Sequence, residues 1–235
     1  MFTEFIRSFV NAAQYAEIDL WFVDNGSRDR SVDETLRISN RIKVIRLSRN
    51  LGYAAACNIA FAHAERGGFN YDFYIFSNND IYIYKNSITE LIKWLEQLDE
   101  MLPGGFIGSP ILINGFDGTL DICGTYVDPS GGTWPLSIVF KGAEVLKKAL
   151  RNRPLPVSHA DGAFLVISRN VIRKIGLFDS RFFMYHEDTD LGLRGWVNGI
   201  PSLLIPVILG SHYRSSTAGK FDIKYYALRN RIYIA

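Results

Sequence analysis

Between Ile18 and Glu100 short apolar runs alternate with helical stretches, and this alternation constrains the fold more than any other feature of the chain. Ile18–Val23 is an apolar run of strand length, closed by the turn residues Asp24-Asn25-Gly26-Ser27. Ser31–Ile38 has helical spacing. Ile42–Leu47 reads as a second strand, followed by Ser48-Arg49-Asn50-Leu51-Gly52, and Tyr53–Arg66 as an Ala-rich helix closed by Gly67-Gly68. Tyr71–Phe76 is a third strand ending in Ser77-Asn78-Asn79-Asp80. In Asn86–Glu100, Ile88, Leu91, Ile92, Leu95 and Leu98 share one helical face. Ahead of all this, Phe2, Phe5, Ile6, Phe9 and Ala13 predict an amphipathic helix over Met1–Ala16. Strands alternating with helices predict an α/β fold, with a mainly parallel sheet covered on both faces. Ligands of such sheets bind beyond the carboxyl ends of the strands.

The second half is less regular. Gly104–Trp134 is broken by Asn114-Gly115, Asp117-Gly118 and Ser130-Gly131-Gly132, which predicts hairpins and loops. Glu144–Leu150 and Arg169–Ile175 read as helices, and Gly162–Ile167 and Leu203–Leu209 as buried strands. No repeat or low-complexity linker divides the chain, so one domain is expected over 1–235, with contiguous halves 1–102 and 103–235. A chain of 235 residues buries a substantial core. The net charge of +2 gives no support for nucleic-acid binding. Cys57 and Cys123 have no metal-like spacing and read as reduced, small buried residues of a cytoplasmic protein. Met1–Ala16 lacks the pattern of a signal peptide. The uncharged run after Arg194 holds Asn198, Pro201, Pro206 and His212, which suits a buried strand better than a membrane span. Contact with a membrane surface stays open.

Polar residues gather where the strands end. Asp24, Asn25 and Ser27 offer acceptors for ligand N–H or hydroxyl groups, although such clusters are more often turns and helix caps. Asn50 and Gly52 precede a helix N-terminus, which suits a phosphate or simply a helix start. Asp80, flanked by Asn78 and Asn79, suits a hard divalent cation or an Asx turn. His212 follows an apolar strand and has the chemistry of a metal or phosphate ligand, though a lone histidine is more often structural. Asp179–Arg194 sets Glu187, Asp188 and Asp190 beside His186. Crowded carboxylates separate in pKa, which serves proton transfer. Acidic residues also simply favour a helix N-terminus.

The segments VDNGSRD, RNLGYAAACN, FSNND, DGAFLVISR, GLFDSRFFMYHEDTDLGLRGWVNG and YYALRN, with His212 before the last, resemble in order and spacing the family-2 glycosyltransferases of the GT-A fold. The resemblance is to the rhamnosyltransferase-like branch and runs from Ile18 to Ile232. It implies a Rossmann-like three-layer sandwich whose first half binds a nucleotide-diphosphate sugar and whose second half shapes the acceptor site. It further implies that Asp24 meets the nucleotide base, uracil or thymine, and that Asn50, Gly52 and Asn58 line the nucleotide pocket. Asn78-Asn79-Asp80 takes the place of the family's DXD motif, with Asn78 replacing its first Asp. Asp80, helped by His212, is then the ligand of Mg²⁺ or Mn²⁺. Asp161-Gly162 would lie beside the donor sugar. Asp188 would be the general base of an inverting displacement, Glu187 its understudy or a holder of sugar hydroxyls, and Arg194 the residue that orients the pair. The acceptor would be a glycan or lipid-linked hydroxyl.

One departure stands out. Family members normally begin with a strand that lies centrally in the sheet, whereas this chain begins at the helix that should follow it. Loss of that strand would leave a gap between its neighbours, and three outcomes follow: the start lies upstream, another segment fills the gap, or donor binding is impaired. A non-catalytic relative that binds nucleotide or a partner is the alternative expectation.

Overall fold

The computed structural model describes residues 2–14, 16–214 and 223–234. The first half runs α1 (Phe2–Ala13), β1 (Trp21–Asp24), α2 (Ser31–Ile38), β2 (Lys43–Arg46), α3 (Tyr53–Arg66), β3 (Phe73–Ser77), β4 (Ile81–Ile83) and α4 (Ser87–Met101). The second half runs β5 (Ile107–Asn114), the hairpin β6 (Tyr126–Val127) and β7 (Thr133–Trp134), α5 (Ala143–Leu150), β8 (Leu155–Val157), β9 (Phe164–Ser168), α6 (Arg169–Ile175), α7 (Glu187–Val197), β10 (Ser202–His212) and α8 (Ile223–Ile234).

The main sheet has the order β3-β9-β5-β10-β4, with β8 also paired to β10. Alternate residues of β9 point to opposite faces, as the strand period requires. Phe164 and Val166 join a core with Ile88, Leu91, Leu95 and Leu98 of α4. Leu165 and Ile167 join another with Ala54 and Ala64 of α3 and Val171 and Ile172 of α6. The architecture is thus helix, sheet, helix. A third core holds Ile111, Cys123, Leu146 and Leu204 beneath α5.

The sheet is mixed, which corrects the expectation of a mainly parallel one. Among the described residues only β1–β2 and β5–β10 pair in parallel, while β9 lies antiparallel to both β3 and β5, and β4 and β8 lie antiparallel to β10. The short strands β4 and β8 escape a periodicity argument, and β9 is legible as a buried strand but not in its direction, because an apolar run carries none. Pro206 has no N–H to give the ladder, and the register of β10 against β5 shifts between Ile205 and Ile208.

Among the described residues no segment fills the gap: β1 pairs with β2 alone and β3 with β9 alone. A cavity of about 2130 Å³ extends between them, walled by Trp21, Val23, Phe73 and Ile75 and reaching the polar strand ends. The amino ends of the two strands are tied together: Trp21 Nε1 donates to Tyr71 Oη at 3.3 Å, and Tyr71 in turn donates to Asp19. Lys43 covers the rings of Trp21 and Phe69.

Candidate active site

The strand ends are pinned to one another before any ligand arrives. Asp24, 8% exposed, accepts the Ser27 N–H at 2.8 Å and so closes an Asx turn. Asn25 joins the ends of β1 and β2: its Nδ2 donates to Asn50 Oδ1 (3.0 Å) and the Gly52 carbonyl (3.1 Å), and its Oδ1 accepts the Leu51 N–H (2.9 Å). Gly52 sits at φ +87°, where a Cβ would lie 2.4 Å from the Phe183 carbonyl oxygen. The missing side chain lets the Tyr53 N–H donate to that carbonyl at 2.6 Å. Tyr53 Oη donates to the Gly162 carbonyl at 3.0 Å, so the start of α3 joins the two halves of the site.

Opposite, the N-terminus of α7 meets the segment entering β9. Asp188 Oδ2 accepts the Gly162 N–H at 2.8 Å and Oδ1 accepts the Thr189 N–H at 2.7 Å, so the carboxylate is fixed in one orientation. Its side chain remains 20% exposed. Glu187 is 7% exposed, and its Oε2 has no hydrogen-bond partner. Burial, and then the charge of Asp188, push the Glu187 carboxyl up to about 8. Burial likewise lifts Asp161 to about 6, against the pull of His159 and with the push of Asp188. Burial thus favours the protonated form of Glu187, which can then donate a hydrogen bond, whereas the part-exposed Asp188 is an acceptor already oriented by two backbone N–H groups.

The third corner is His212 at the end of β10. Its Nδ1 lies 2.7 Å from Asp121 Oδ2 and its Nε2 3.2 Å from Asp80 Oδ1, with Asn78 Nδ2 at 3.3 Å. Burial opposes its charging, but Asp121 and Asp80 outweigh burial and raise it to about 9. Arg214 holds the other oxygen of Asp121 at 2.7 Å. No group of three or more His, Cys, Asp or Glu able to hold a metal occurs among the described residues. A divalent cation would displace the proton of His212 Nε2, and that nitrogen with Asp80 would then supply two of its ligands, the rest coming from a diphosphate and water.

One cavity collects Asp24, Asn25, Ser27, Asn50, Gly52, Asn78, Asn79, Asp80, Asp161, Gly162, Glu187, Asp188 and His212. Two expected members lie off its wall. Asn58 spends its amide on the backbone of Phe178, at 2.7 and 3.2 Å. Arg194 orients Asp190 (2.8 Å) rather than the Glu187–Asp188 pair, and donates to the carbonyls of Ile175 and Leu177. Both residues brace the loop that carries the site. Sequence pattern carried no sign of Asp121, which lies in an irregular stretch. His159, 4% exposed with Nδ1 3.9 Å from Asp188 Oδ2, had one weak signal, a histidine two residues before Asp161.

Residues 1–176 match the family described as Glycosyl transferase family 2. The chain is 25% identical, over 91% of its length and 72% of the relative's, to N-acetylglucosaminyl-diphospho-decaprenol L-rhamnosyltransferase of two Mycobacterium tuberculosis strains. Its fold is similar to that of GalNAc-T7 in a structure with UDP, GalNAc and Mn²⁺ (TM-score 0.64, 18% identity, 92% of this chain and 41% of that one). It is also similar to the mannosyltransferase PcManGT of Pyrobaculum calidifontis in complex with GDP-Man and Mn²⁺ (TM-score 0.60, 13% identity, 90% of this chain and 53% of that one). The chain thus spans about half, or less, of the length of these two solved structures.

Proposed function

The chain belongs to glycosyl transferase family 2, and from that premise we propose that it moves a sugar from a UDP- or dTDP-linked donor to a hydroxyl of a glycan or lipid-linked acceptor, inverting the anomeric centre. The observation that carries the proposal is the meeting in one cavity of the β1 and β3 ends with an oriented, part-exposed carboxylate at the start of α7. The Mycobacterium relative, whose name specifies a diphospho-decaprenol substrate and rhamnosyl transfer, supports a lipid-linked acceptor and a rhamnosyl-type donor.

In this reading residues 1–102 hold the nucleotide and residues 103–235 the acceptor. Asp24 and Ser27 meet the base, and Asn25 and Asn50 set the loop around it. Asp188 takes the proton of the acceptor hydroxyl as its oxygen bonds to the anomeric carbon and the bond from that carbon to the diphosphate breaks. Glu187, protonated, donates to a sugar hydroxyl, and Asp161 with Gly162 flanks the donor sugar. Asp80 and His212 Nε2 would hold Mg²⁺ or Mn²⁺, with Asp121 fixing the imidazole through Nδ1. When bound, the cation would offset the charge that grows on the leaving diphosphate.

The test is calorimetric titration with UDP and dTDP, with and without Mn²⁺, beside a transfer assay on Asp188→Asn. Metal-dependent binding is expected in both proteins, and transfer should fall roughly 10³-fold in the variant. Undiminished transfer would remove Asp188 from its role. A second reading, a non-catalytic relative that binds nucleotide or a partner, draws on the open edges of β1 and β3 beside the donor pocket. Nucleotide binding with no donor consumed by the parent chain would select it.

A further inference from the structure

The surface formed by the β6–β7 hairpin, the 3₁₀ turn Leu136–Ile138 and α5 plays no part in the proposed chemistry, yet it displays large apolar side chains. Trp134 is 57% exposed, Ile138 54%, Val139 71% and Val145 61%. The turn is rigid. Leu136, Phe140 and Leu150 pack into the core beneath α5, and the Val139 and Phe140 N–H groups both donate to the Leu136 carbonyl at 2.9 Å. Ile138 and Val139 are therefore presented outward by an anchored support. α5 buries Ala143 and Leu146, and its outer face carries Val145 and, one turn on, Lys148.

Charge is distributed unevenly around these residues. Lys141, Lys148, Arg151 and Arg153 are all exposed within thirteen residues of chain. Glu144 is the acid within that stretch, and Asp128 in the neighbouring hairpin is engaged by the N–H groups of Ser130, Gly132 and Trp134. Lys147 is taken by Glu90 at 2.9 Å. Two adjacent aliphatic side chains exposed on a turn, a tryptophan whose Nε1 is bonded at its polar edge, and exposed cations close by in the chain suit the headgroup region of a bilayer. Among the described residues no helix is long and apolar enough to cross a membrane. Attachment here would be superficial.

We propose that this face docks on an anionic bilayer surface, with Ile138, Val139 and Trp134 in the headgroup layer and Lys141, Lys148, Arg151 and Arg153 against lipid phosphates. The hairpin is joined to the cavity wall through the chain that leads into it. Ile122 lies on the cavity wall, and Thr125, just before the hairpin, donates to Asp161 at 3.0 Å. Docking would bring the acceptor half of the site to a membrane-held hydroxyl. The docking itself rests on the surface and stands apart from the sugar-transfer reading.

Co-sedimentation with unilamellar vesicles of phosphatidylcholine, with and without phosphatidylglycerol, tests it without donor or acceptor. The chain should bind the anionic vesicles and be released by salt. Two double variants, Ile138→Ser with Val139→Ser and Lys148→Glu with Arg153→Glu, should each bind at least tenfold more weakly, since one surface cation is worth about fivefold. Both should keep the circular dichroism of the parent and its turnover of a water-soluble acceptor. Equal binding to neutral and anionic vesicles, binding to neither, or variants that bind like the parent would overturn the proposal. So would a dimer in vesicle-free sedimentation velocity that Val139→Ser disrupts while vesicle binding is nil.

Discussion

Glu187 and Asp188 are neighbours in the chain but occupy different media. Glu187 is almost wholly buried at the cavity lining, with one oxygen lacking a partner, while the part-exposed Asp188 is held by two backbone N–H groups. An ionised Glu187 would be desolvated next to Asp188, so the folded state keeps it protonated up to about 8, against an ordinary 4.5. The sign follows. The unfolded chain loses this proton first as pH rises, so the folded state forfeits stability between about 4.5 and 8. Glu187→Gln keeps the shape and removes the titration. The variant should therefore melt higher than the parent at pH 8, by about 2–4 °C for each kcal/mol recovered, with the difference closing towards pH 5. Thermal melts at the two pH values measure it, and a difference that does not vary with pH would mean that Glu187 is not held neutral. The same variant should keep metal-dependent nucleotide binding, because the proposed cation ligands are Asp80 and His212 and the proposed base contacts are Asp24 and Ser27.

At the scale of elements, the β1–β2 pair is the weak member of the fold. Two strands of four residues each are marginal as an isolated ribbon. Here α3, Asn25 and the Trp21–Tyr71–Asp19 chain hold the ribbon, without continuous ladder bonds to β3. Hydrogen exchange followed by mass spectrometry should therefore find the amides of Val23 and Ile45 exchanging orders of magnitude faster than those of Leu204 and Ile205, which sit in the centre of the main sheet. Equal protection would mean that the gap does not weaken the ribbon. Much of this layout was legible in the sequence. The helices Ser31–Ile38, Tyr53–Arg66 and Arg169–Ile175 have the bounds their spacing predicts, because periodicity and flanking Gly or Ser residues agree there. β5 was hidden because Gly108 and Pro110 interrupt its apolar run, and β10 extends past its expected end to His212 through Gly210. Directions were also hidden: that β9 runs against both neighbours depends on long-range pairing. The motif residues at strand ends converge as expected. Asn58 and Arg194 do not, since position within a motif cannot distinguish a side chain that meets a ligand from one that braces the loop bearing it.

At the scale of the molecule, the donor site is divided between a firm part and a loose one. Asp80, Asp161, Asp188 and His212 stand on or beside the main sheet and α7, whereas Asp24 and Ser27 stand on the ribbon. A nucleotide that contacts both parts must hold the ribbon against the sheet, so its binding energy should appear as order across the gap. A ligand that binds the folded chain alone stabilises it by about 2.7 kcal/mol at a hundredfold excess over Kd. For a chain of this size that is a rise in Tm of roughly 5–10 °C. With UDP or dTDP and Mn²⁺ at such an excess, the melting temperature should rise by that amount, and exchange of the Trp21–Asp24 amides should slow. Asp24→Ala should lose most of the slowing while keeping the metal dependence, because the cation is held on the other side of the gap. A rise in Tm without slower exchange at β1 would mean that the nucleotide sits on the main sheet alone, and that the ribbon takes no part in donor binding.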